Sequence, residues 1–278
     1  MATITTAGSG NWDAGATWTG GSVPADGDTA SIESGHTCTL TENEQVGAVV
    51  INGGTIAGGG FKITCVKTSG RLFDHSGTIT GNLDVELQGT HNTTEDFAGT
   101  GNIRNLILNG SGLNVTTGRA TTIAGDITIT QGTLTCGSDD LTTGSLTIAS
   151  GATFSATSGT TTITSETSGG VAVSNSGTFT HNSGTVSIET PAATFTSPVN
   201  YNNLIINHAS AAVKFTGSSG STMTIAGDLT ITQGSFENNI SDANLTVTGD
   251  VSVTGTLTGN SGAMSFGSLS VASGGTYN

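Results

Sequence analysis

Residues 122–132 read TIAGDITITQG, and residues 224–234 read TIAGDLTITQG. The two stretches are identical at ten of eleven positions and lie 102 residues apart. Each contains an alternation of aliphatic residues with threonine, which is the period-two pattern of a half-buried β-strand. The chain therefore contains a duplicated strand unit, and we place its two copies at about residues 102–135 and 200–237.

The similarity continues upstream of the repeated stretch, but with a different loop length. NLILN at residues 105–109 matches NLIIN at residues 203–207, and this pair is offset by 98 residues. The flanking strands have been kept while the loop between them has changed, which is typical of stacked repeats.

A shorter period runs through the chain. A polar residue followed by an aliphatic-x-aliphatic triplet recurs at intervals of roughly 20 residues. The polar residues are Asn82, Asn105, Asp126, Ser145, Asn203, Asp228, Asp250 and Ser268. The long gap between residues 145 and 203 contains three further candidate strands, at 161–164, 171–173 and 186–188.

These patterns predict an all-β chain that forms a single parallel β-solenoid, or β-helix, with about 20 residues per coil. We expect right-handed coiling, aliphatic side chains inside, Thr, Ser and Asn outside, and glycines at the corners. A propeller requires longer blades joined by hairpin turns, and stacked immunoglobulin-like sandwiches require longer strands and more aromatic residues in their cores.

The N-terminal stretch differs from the rest, so we divide the chain into a cap with the first coils at residues 1–45 and a solenoid at 46–278. The cap contains Trp12, Trp18 and Pro24. Two indoles can cover the open end of a first coil, and the alternative is a docking surface or a sugar-stacking site. Near the other terminus, Tyr277 is a candidate for covering an exposed coil edge or for docking.

Composition excludes several partners. The net charge is −14, whereas binding to nucleic acid requires a basic face and an anionic membrane repels an acidic chain. No run of 18 apolar residues is present, so we predict no membrane span. The first twelve residues, MATITTAGSGNW, lack a charged and an apolar region, and we therefore predict no secretory signal.

Several carboxylate pairs deserve a test as catalytic acids, because glycoside hydrolysis uses two carboxylates across a groove. The candidate pairs are Asp139/Asp140, Glu95/Asp96, Asp84/Glu86 and Glu42/Glu44. No arginine lies near Asp139, and the aromatic residues of the coils are mostly lone phenylalanines, which we interpret as core residues. The three cysteines and five histidines show no ligand-like spacing, and we read the cysteines as buried core residues. We predict no enzymatic activity, no cofactor and no metal site.

The N-terminal stretch follows the pattern W…W-x-x-G…P…D…I-x-x-G-H-x-x-x-L. The matching residues are Trp12, Trp18, Gly21, Pro24, Asp28, Ile32, Gly35, His36 and Leu40. In this it resembles the start of β-helical structural proteins of tailed-phage virions and of related bacterial surface repeat proteins.

The resemblance implies a non-enzymatic virion protein, either a capsid cement or decoration protein or a short fibre. Its partners would be the major capsid protein or other virion proteins. It would assemble in the host cytoplasm, which suits unpaired cysteines, and we expect a homo-oligomer, with a trimer as the specific guess. The alternative is a bacterial surface adhesin or filament subunit that binds glycans or a protein partner. A glycan-degrading spike is a third hypothesis.

Overall fold

The computed structural model describes residues 1–167, 169–191, 194–195, 199–215, 220–238, 243–259 and 262–278. The chain divides into two compact units, Met1–Gly137 and Ser138–Asn278. One copy of the duplicated block lies in each unit. Residues 1–45 lie within the first unit, and a domain boundary at residue 45 stays a prediction.

The first unit is built of short strands and two 3-10 helices. The strands are β1 Thr3–Thr5, β2 Gly10–Asn11, β3 Thr29–Glu33, β4 Thr37–Thr39, β5 Glu44–Val46, β6 Ala48–Asn52, β7 Thr55–Ala57, β8 Lys62–Cys65, β9 Phe73–His75, β10 Thr78–Thr80, β11 Asp84–Leu87, β12 Asn92–Glu95, β13 Asn105–Thr117, β14 Thr121–Thr122 and β15 Ile127–Thr135. The 3-10 helices are Gly15–Thr17 and Thr19–Gly21.

Among the described residues of the second unit, the elements of regular secondary structure are strands. These are β16 Leu141–Thr143, β17 Leu146–Ile148, β18 Thr153–Ser155, β19 Thr160–Ile163, β20 Val171–Asn175, β21 Thr178–Thr180, β22 Thr185–Ile188, β23 Thr194–Phe195, β24 Asn203–Phe215, β25 Thr222–Ile225, β26 Leu229–Asn238, β27 Asn244–Val253, β28 Thr256–Thr258, β29 Met264–Val271 and β30 Thr276–Tyr277.

Apart from β12, which pairs with the second half of β13, and β14, the strands of the first unit stack into three parallel sheets. Their orders are β1-β3-β6-β9, β2-β4-β7-β10 and β5-β8-β11-β13-β15. Successive strands such as β3, β4 and β5 each join a different sheet, and the chain then returns to the first sheet one turn later. This is a parallel β-solenoid. The two units together contain about 11 turns of about 21 residues, so the predicted fold class and period are confirmed. Right-handed coiling stays a prediction.

Strands of the second unit also pair in parallel, and its long strands run around corners. The first half of β24 pairs with β22, through Leu204 and Val186, whereas its second half pairs with β23, through Lys214 and Thr194. The predicted strands at 161–164, 171–173 and 186–188 correspond to β19, β20 and β22.

The eight polar-aliphatic triplets do not form one column. The triplet after Ser145 is β17, which pairs with β20, whereas the triplet after Asn203 opens β24 on the sheet of β22. Alternation of polar and apolar residues indicates that one face of a strand is buried, but it does not indicate which sheet the strand joins.

Aliphatic side chains form columns through the interior. In the first unit Ile63, Val85, Leu106 and Ile127 are in register on successive turns, and each is at most 1% exposed. Burial of one such side chain contributes about 1.5–3 kcal/mol. Each turn covers its neighbour's interior, so stability depends on contacts between neighbouring turns. The three cysteines are buried, as predicted.

The repeated stretch has a specific packing role. The backbone N–H of Asp126 donates to the side-chain oxygen of Asn105 on the preceding turn at 2.9 Å, and Asp228 does the same to Asn203 at 3.0 Å. The glycine before each aspartate permits this approach, since a Cβ on Gly125 would lie 2.5 Å from the Asn105 oxygen. The sequence AGD therefore fits under an asparagine in both copies.

The end of the repeated stretch turns a corner. Gly132 has a φ of 87° and Gly234 a φ of 73°, in the left-handed region that favours glycine. At this corner the register between β13 and β15 shifts, and the same occurs between β24 and β26. The QG pair therefore marks a corner in each unit.

We expect Gly125→Ala to lower the free energy of unfolding by about 1–3 kcal/mol, because the added methyl group would press on Asn105 and on the backbone oxygen of Arg104, 2.6 Å away. Gly8→Ala is the matched control, since a Cβ there meets nothing within 4 Å. Urea unfolding of both variants followed by circular dichroism checks this. Equal midpoints for the two variants would contradict the close packing of the AGD segment.

Candidate docking surfaces

The two tryptophans pack against each other inside the first unit. Trp12 is 0% and Trp18 1% exposed, their ring centroids are 5.0 Å apart, and the rings meet edge to face at 78°. The Trp18 indole N–H donates to the backbone oxygen of Trp12 at 2.6 Å. Buried rings do not offer a flat platform to a sugar or to a partner surface.

The other two residues singled out from the sequence lie in different environments. Pro24 is buried, whereas Tyr277 is 47% exposed and lies edge to face with Phe266 at 6.4 Å. The structure does not bring Tyr277 together with the tryptophans in one unit. A role of Trp12, Trp18, Pro24 or Tyr277 in docking or capping stays a prediction.

Residues 1–45 form an acidic segment. This segment contains six carboxylates and no lysine or arginine. The carboxylates are Asp13, Asp26, Asp28, Glu33, Glu42 and Glu44. Asp28 is held by the backbone N–H of Ala2 at 2.8 Å, and this bond lowers the pKa of Asp28.

Glu44 occupies an interior position of its sheet. It is in register with Ile63 on the next turn, and therefore stands at the first position of the column that continues through Val85. Burial, followed by the nearby carboxylates of Glu42 and Asp13, raises the pKa of Glu44 to about 7. Its Oε1 atom is buried and has no hydrogen-bond partner among the described residues.

Asp84 and Glu86 share the outer face of β11, as their spacing predicts, but both are paired with cations. Arg104 binds Asp84 through two bonds of 2.7 Å. Lys62 contacts Glu86 at 2.5 Å, and Asn109 donates to the same carboxylate at 2.9 Å. Burial would raise the pKa of Glu86, but these bonds outweigh it and lower that pKa.

Glu95 and Asp96 are likewise engaged in bonds to other turns. Glu95 is 0% exposed and accepts the backbone N–H groups of Leu72 at 2.9 Å and Phe73 at 2.6 Å. Burial raises the pKa of Glu95 in spite of these bonds. Asp96 pairs with Arg119 at 2.6 Å. Each carboxylate thus joins neighbouring turns.

The remaining candidate pair is Asp139/Asp140. Asp140 accepts the backbone N–H of Thr160 at 2.7 Å, and Asp139 beside it is exposed.

Burial raises the pKa of the Cys38 and Cys136 thiols to about 12, so both are protonated at neutral pH. Within the described ranges no group of three or more His, Cys, Asp and Glu is placed to hold a metal ion.

A feature that the sequence reading missed is a column of carboxylate and amide side chains on the outer face. In the first unit Asn109 donates to Glu86 and stands in register with Gln131. In the second unit Asn207 donates to Glu189 at 3.4 Å and accepts from Gln233 at 3.5 Å. In the sequence, the glutamine of the repeated QG pair, Gln131 and Gln233, is the residue that could have indicated this column.

Searches among protein-family models, curated proteins and solved structures find no match to this chain. In the part of the chain that the structure describes, no helix is long and apolar enough to span a membrane.

We expect Glu44→Gln to stabilise the protein at pH 8 and to have little effect at pH 4. The folded state raises the pKa of Glu44 from its ordinary 4.5 to about 7, so it binds the proton more tightly than the unfolded chain. That stability is present below the ordinary pKa and is lost as pH rises through about 7. The gain is modest, because Glu44 is only half-buried and solvent screens it.

Urea midpoints measured from pH 4 to pH 8 test this expectation. The wild-type midpoint should fall over that range more steeply than that of Glu44→Gln. Parallel curves would contradict it. Asp139→Asn, which removes an exposed carboxylate in the second unit, controls for a general effect of charge.

We expect Glu86→Ala to lower the free energy of unfolding by about 1–2 kcal/mol, because the amide of Asn109 and the amine of Lys62 lose their acceptor. Removing the exposed carboxylate in Asp139→Ala should change it by less than about 0.5 kcal/mol. Unfolding in urea compares the two variants. If Glu86→Ala is as stable as Asp139→Ala, Glu86 does not join the turns.

Proposed function

We propose that this chain is a non-enzymatic structural protein of a virus particle, serving as a capsid cement or decoration protein or as a short fibre of a tailed phage. The observation that carries the proposal is that three of the candidate catalytic acids are bound by side chains or backbone groups of neighbouring turns. Asp84, Glu86 and Glu95 all bind cations or amides of adjacent turns. Acids that bind neighbouring turns in this way support a scaffold role for these three side chains rather than a role as catalytic acids.

The acidic segment at residues 1–45 supports a docking role. Six carboxylates without a lysine or arginine attract a basic surface, and such attraction speeds association and sets orientation. We propose that this segment docks on a basic patch of the major capsid protein or another virion protein. The protein would then assemble in the host cytoplasm and reside in the virion.

The second candidate is a bacterial surface adhesin or filament subunit at the cell surface. It is favoured by the hydroxyl side chains on strands β18 and β21 of the second unit, where Thr153 is in register with Thr178 and Ser155 with Thr180. Hydroxyl groups in register can hydrogen-bond to a glycan or to a flat protein surface.

Quantitative mass spectrometry of density-purified virus particles from the source culture tests the proposal. We expect the chain at a fixed ratio to the major capsid protein, with hundreds of copies per particle for a cement protein and a few for a fibre. Absence from particles together with recovery from the cell envelope would overturn the virion role and support the adhesin.

A second arm of the same experiment examines docking. Purified particles stripped of this chain are mixed with wild-type protein or with a variant carrying Asp26→Asn and Glu42→Gln, two exposed positions of the acidic segment. Rebinding should weaken in the variant and should weaken for wild type with rising salt. Asp139→Asn is the control for loss of an exposed carboxylate elsewhere.

A further inference from the structure

The two copies of the duplicated block differ in their interior and agree on their outer face. Over the NLILN/NLIIN pair and the eleven-residue pair, they differ at two positions. Leu108 stands where the second copy has Ile206, and Ile127 where it has Leu229, and all four side chains are 0% exposed. Side chains of a strand point alternately inward and outward, so the outward residues of these strands are identical in both copies.

Three of these outward residues form what we call the repeated face of each unit. An isoleucine is in register with a threonine of the next turn, both side chains are half-buried, and an exposed threonine follows two residues later. Neither face contains a charged side chain. The residues are Ile107, Thr128 and Thr130 in the first unit, and Ile205, Thr230 and Thr232 in the second.

Recent duplication does not account for this identity, because the copies have diverged around the repeated face. The loops between the matching strands differ in length, as the offsets of 98 and 102 residues show. On the turn before the isoleucine, Glu86 occupies the register position in the first unit and Ser187 in the second. Beyond the QG corner, outward Thr135 is replaced by Glu237. The outer surface has therefore changed on both sides of the face, while the face itself has not.

Packing within each unit does not require these residues either. The flanking asparagines have structural roles, since Asn105 and Asn203 each accept a backbone N–H of the next turn. In the described part of the chain, by contrast, no hydrogen bond joins the hydroxyls of Thr130 and Thr232 to another group. A single isoleucine on a surface is ordinary, but its retention in two diverged copies indicates contact with a group outside the chain.

The duplication indicates the kind of partner. Two identical faces fit two identical complementary surfaces, and a protein built of many copies of one subunit presents such surfaces. The faces are uncharged, so the surface that they bind is a neutral polar one with an apolar site for the isoleucine. They contain no aromatic ring on which a sugar could stack, which favours a protein over a glycan.

We propose that the repeated face of each unit binds one subunit of a homo-oligomeric protein, so that one chain binds two identical subunits. Under the proposed virion function, on which the identity of this partner rests, the partner is the major capsid protein. The acidic segment attracts the particle through charge, whereas the repeated faces add short-range contacts that do not depend on charge. A chain that binds two subunits of a shell ties them together, as the cement role requires.

Rebinding to purified particles that have been stripped of this chain tests the proposal. Ile107→Thr and Ile205→Thr each remove apolar contact from one face and keep a β-branched side chain. Each should weaken rebinding roughly tenfold, and the double variant should weaken it more than either. The loss should persist at high salt, which screens the attraction exerted by the acidic segment.

The matched control is Val50→Thr combined with Val171→Thr. These two valines are half-buried, lie one in each unit and stand outside the repeated faces. The control should rebind like the wild type, and a control that weakens rebinding as much as the double variant would overturn the assignment to the repeated faces. Equal urea midpoints of the double variant and the control show that the loss comes from contact and not from unfolding.

Photo-crosslinking identifies what each face touches. The native cysteines are buried, so Thr130→Cys or Thr232→Cys introduces an exposed thiol that takes up a thiol-reactive photo-crosslinker selectively. Both positions should crosslink to the same peptide of the major capsid protein. Thr80→Cys, at an exposed position of β10, is the control and should not reach that peptide.

Three results would overturn this inference and leave the virion function intact. They are equal rebinding of the wild type and the double isoleucine variant, crosslinks from the two faces to different peptides, and wild-type rebinding that is lost when glycans are removed from the particles. The last result would support a glycan as the ligand. Failure of the wild type to rebind at all would overturn the proposed function together with this inference.

Discussion

Hydrogen bonds from a backbone N–H to a side-chain oxygen of the preceding turn join successive turns of this protein where the chain bends. They recur between Asp126 and Asn105, between Asp228 and Asn203, and between Asp250 and Asp228 at 2.8 Å. Where the chain bends, a backbone N–H leaves the regular ladder between strands and still needs an acceptor. A short side chain with an oxygen supplies it, and for this reason a polar residue precedes so many of the aliphatic triplets.

The charged side chains also join groups of the chain through ion pairs and hydrogen bonds. Five of the six lysine and arginine residues form ion pairs with carboxylates: Lys62, Arg71, Arg104, Arg119 and Lys214. The chain has 20 carboxylates against six lysine and arginine residues, which gives its net charge of −14, and carboxylates such as Asp28, Glu95 and Asp140 accept backbone N–H groups. That surplus is unevenly distributed along the sequence, with six carboxylates before residue 46 and none after Asp250.

The strand triplets and their period could be predicted from the sequence because alternation of aliphatic and hydroxyl residues directly reflects a buried face. The glycine before Asp126 and the one at residue 132 could be expected near bends, but not the distinct reasons for them: close approach to Asn105 in one case and a positive φ in the other. The sheet that β17 joins could not be predicted, since register is decided by contacts between residues distant in sequence.

The bonding partners of the candidate acids could not be predicted from the sequence. Acid pairs at Asp84/Glu86 and Glu95/Asp96 have the spacing that catalysis would use, yet their partners come from other turns. Arg104 and Lys62 lie about a turn away in sequence, and no local pattern links them to these acids. The tryptophans could be recognised as a pair, but their burial depends on how Ala7–Gly21 folds onto β1.

In a solenoid, a carboxylate is informative about function when the neighbouring turns do not supply its partners. Glu86 and Glu95 fail that criterion, since each accepts several hydrogen bonds from its own unit. Glu44 meets it: the side chain stands at the first position of an apolar column, its Oε1 atom has no partner among the described residues, and burial raises its pKa to about 7. A cationic partner group brought near Glu44 would favour the ionised form and offset the cost that burial imposes on it. For this reason we propose that a basic surface binds at the acidic segment.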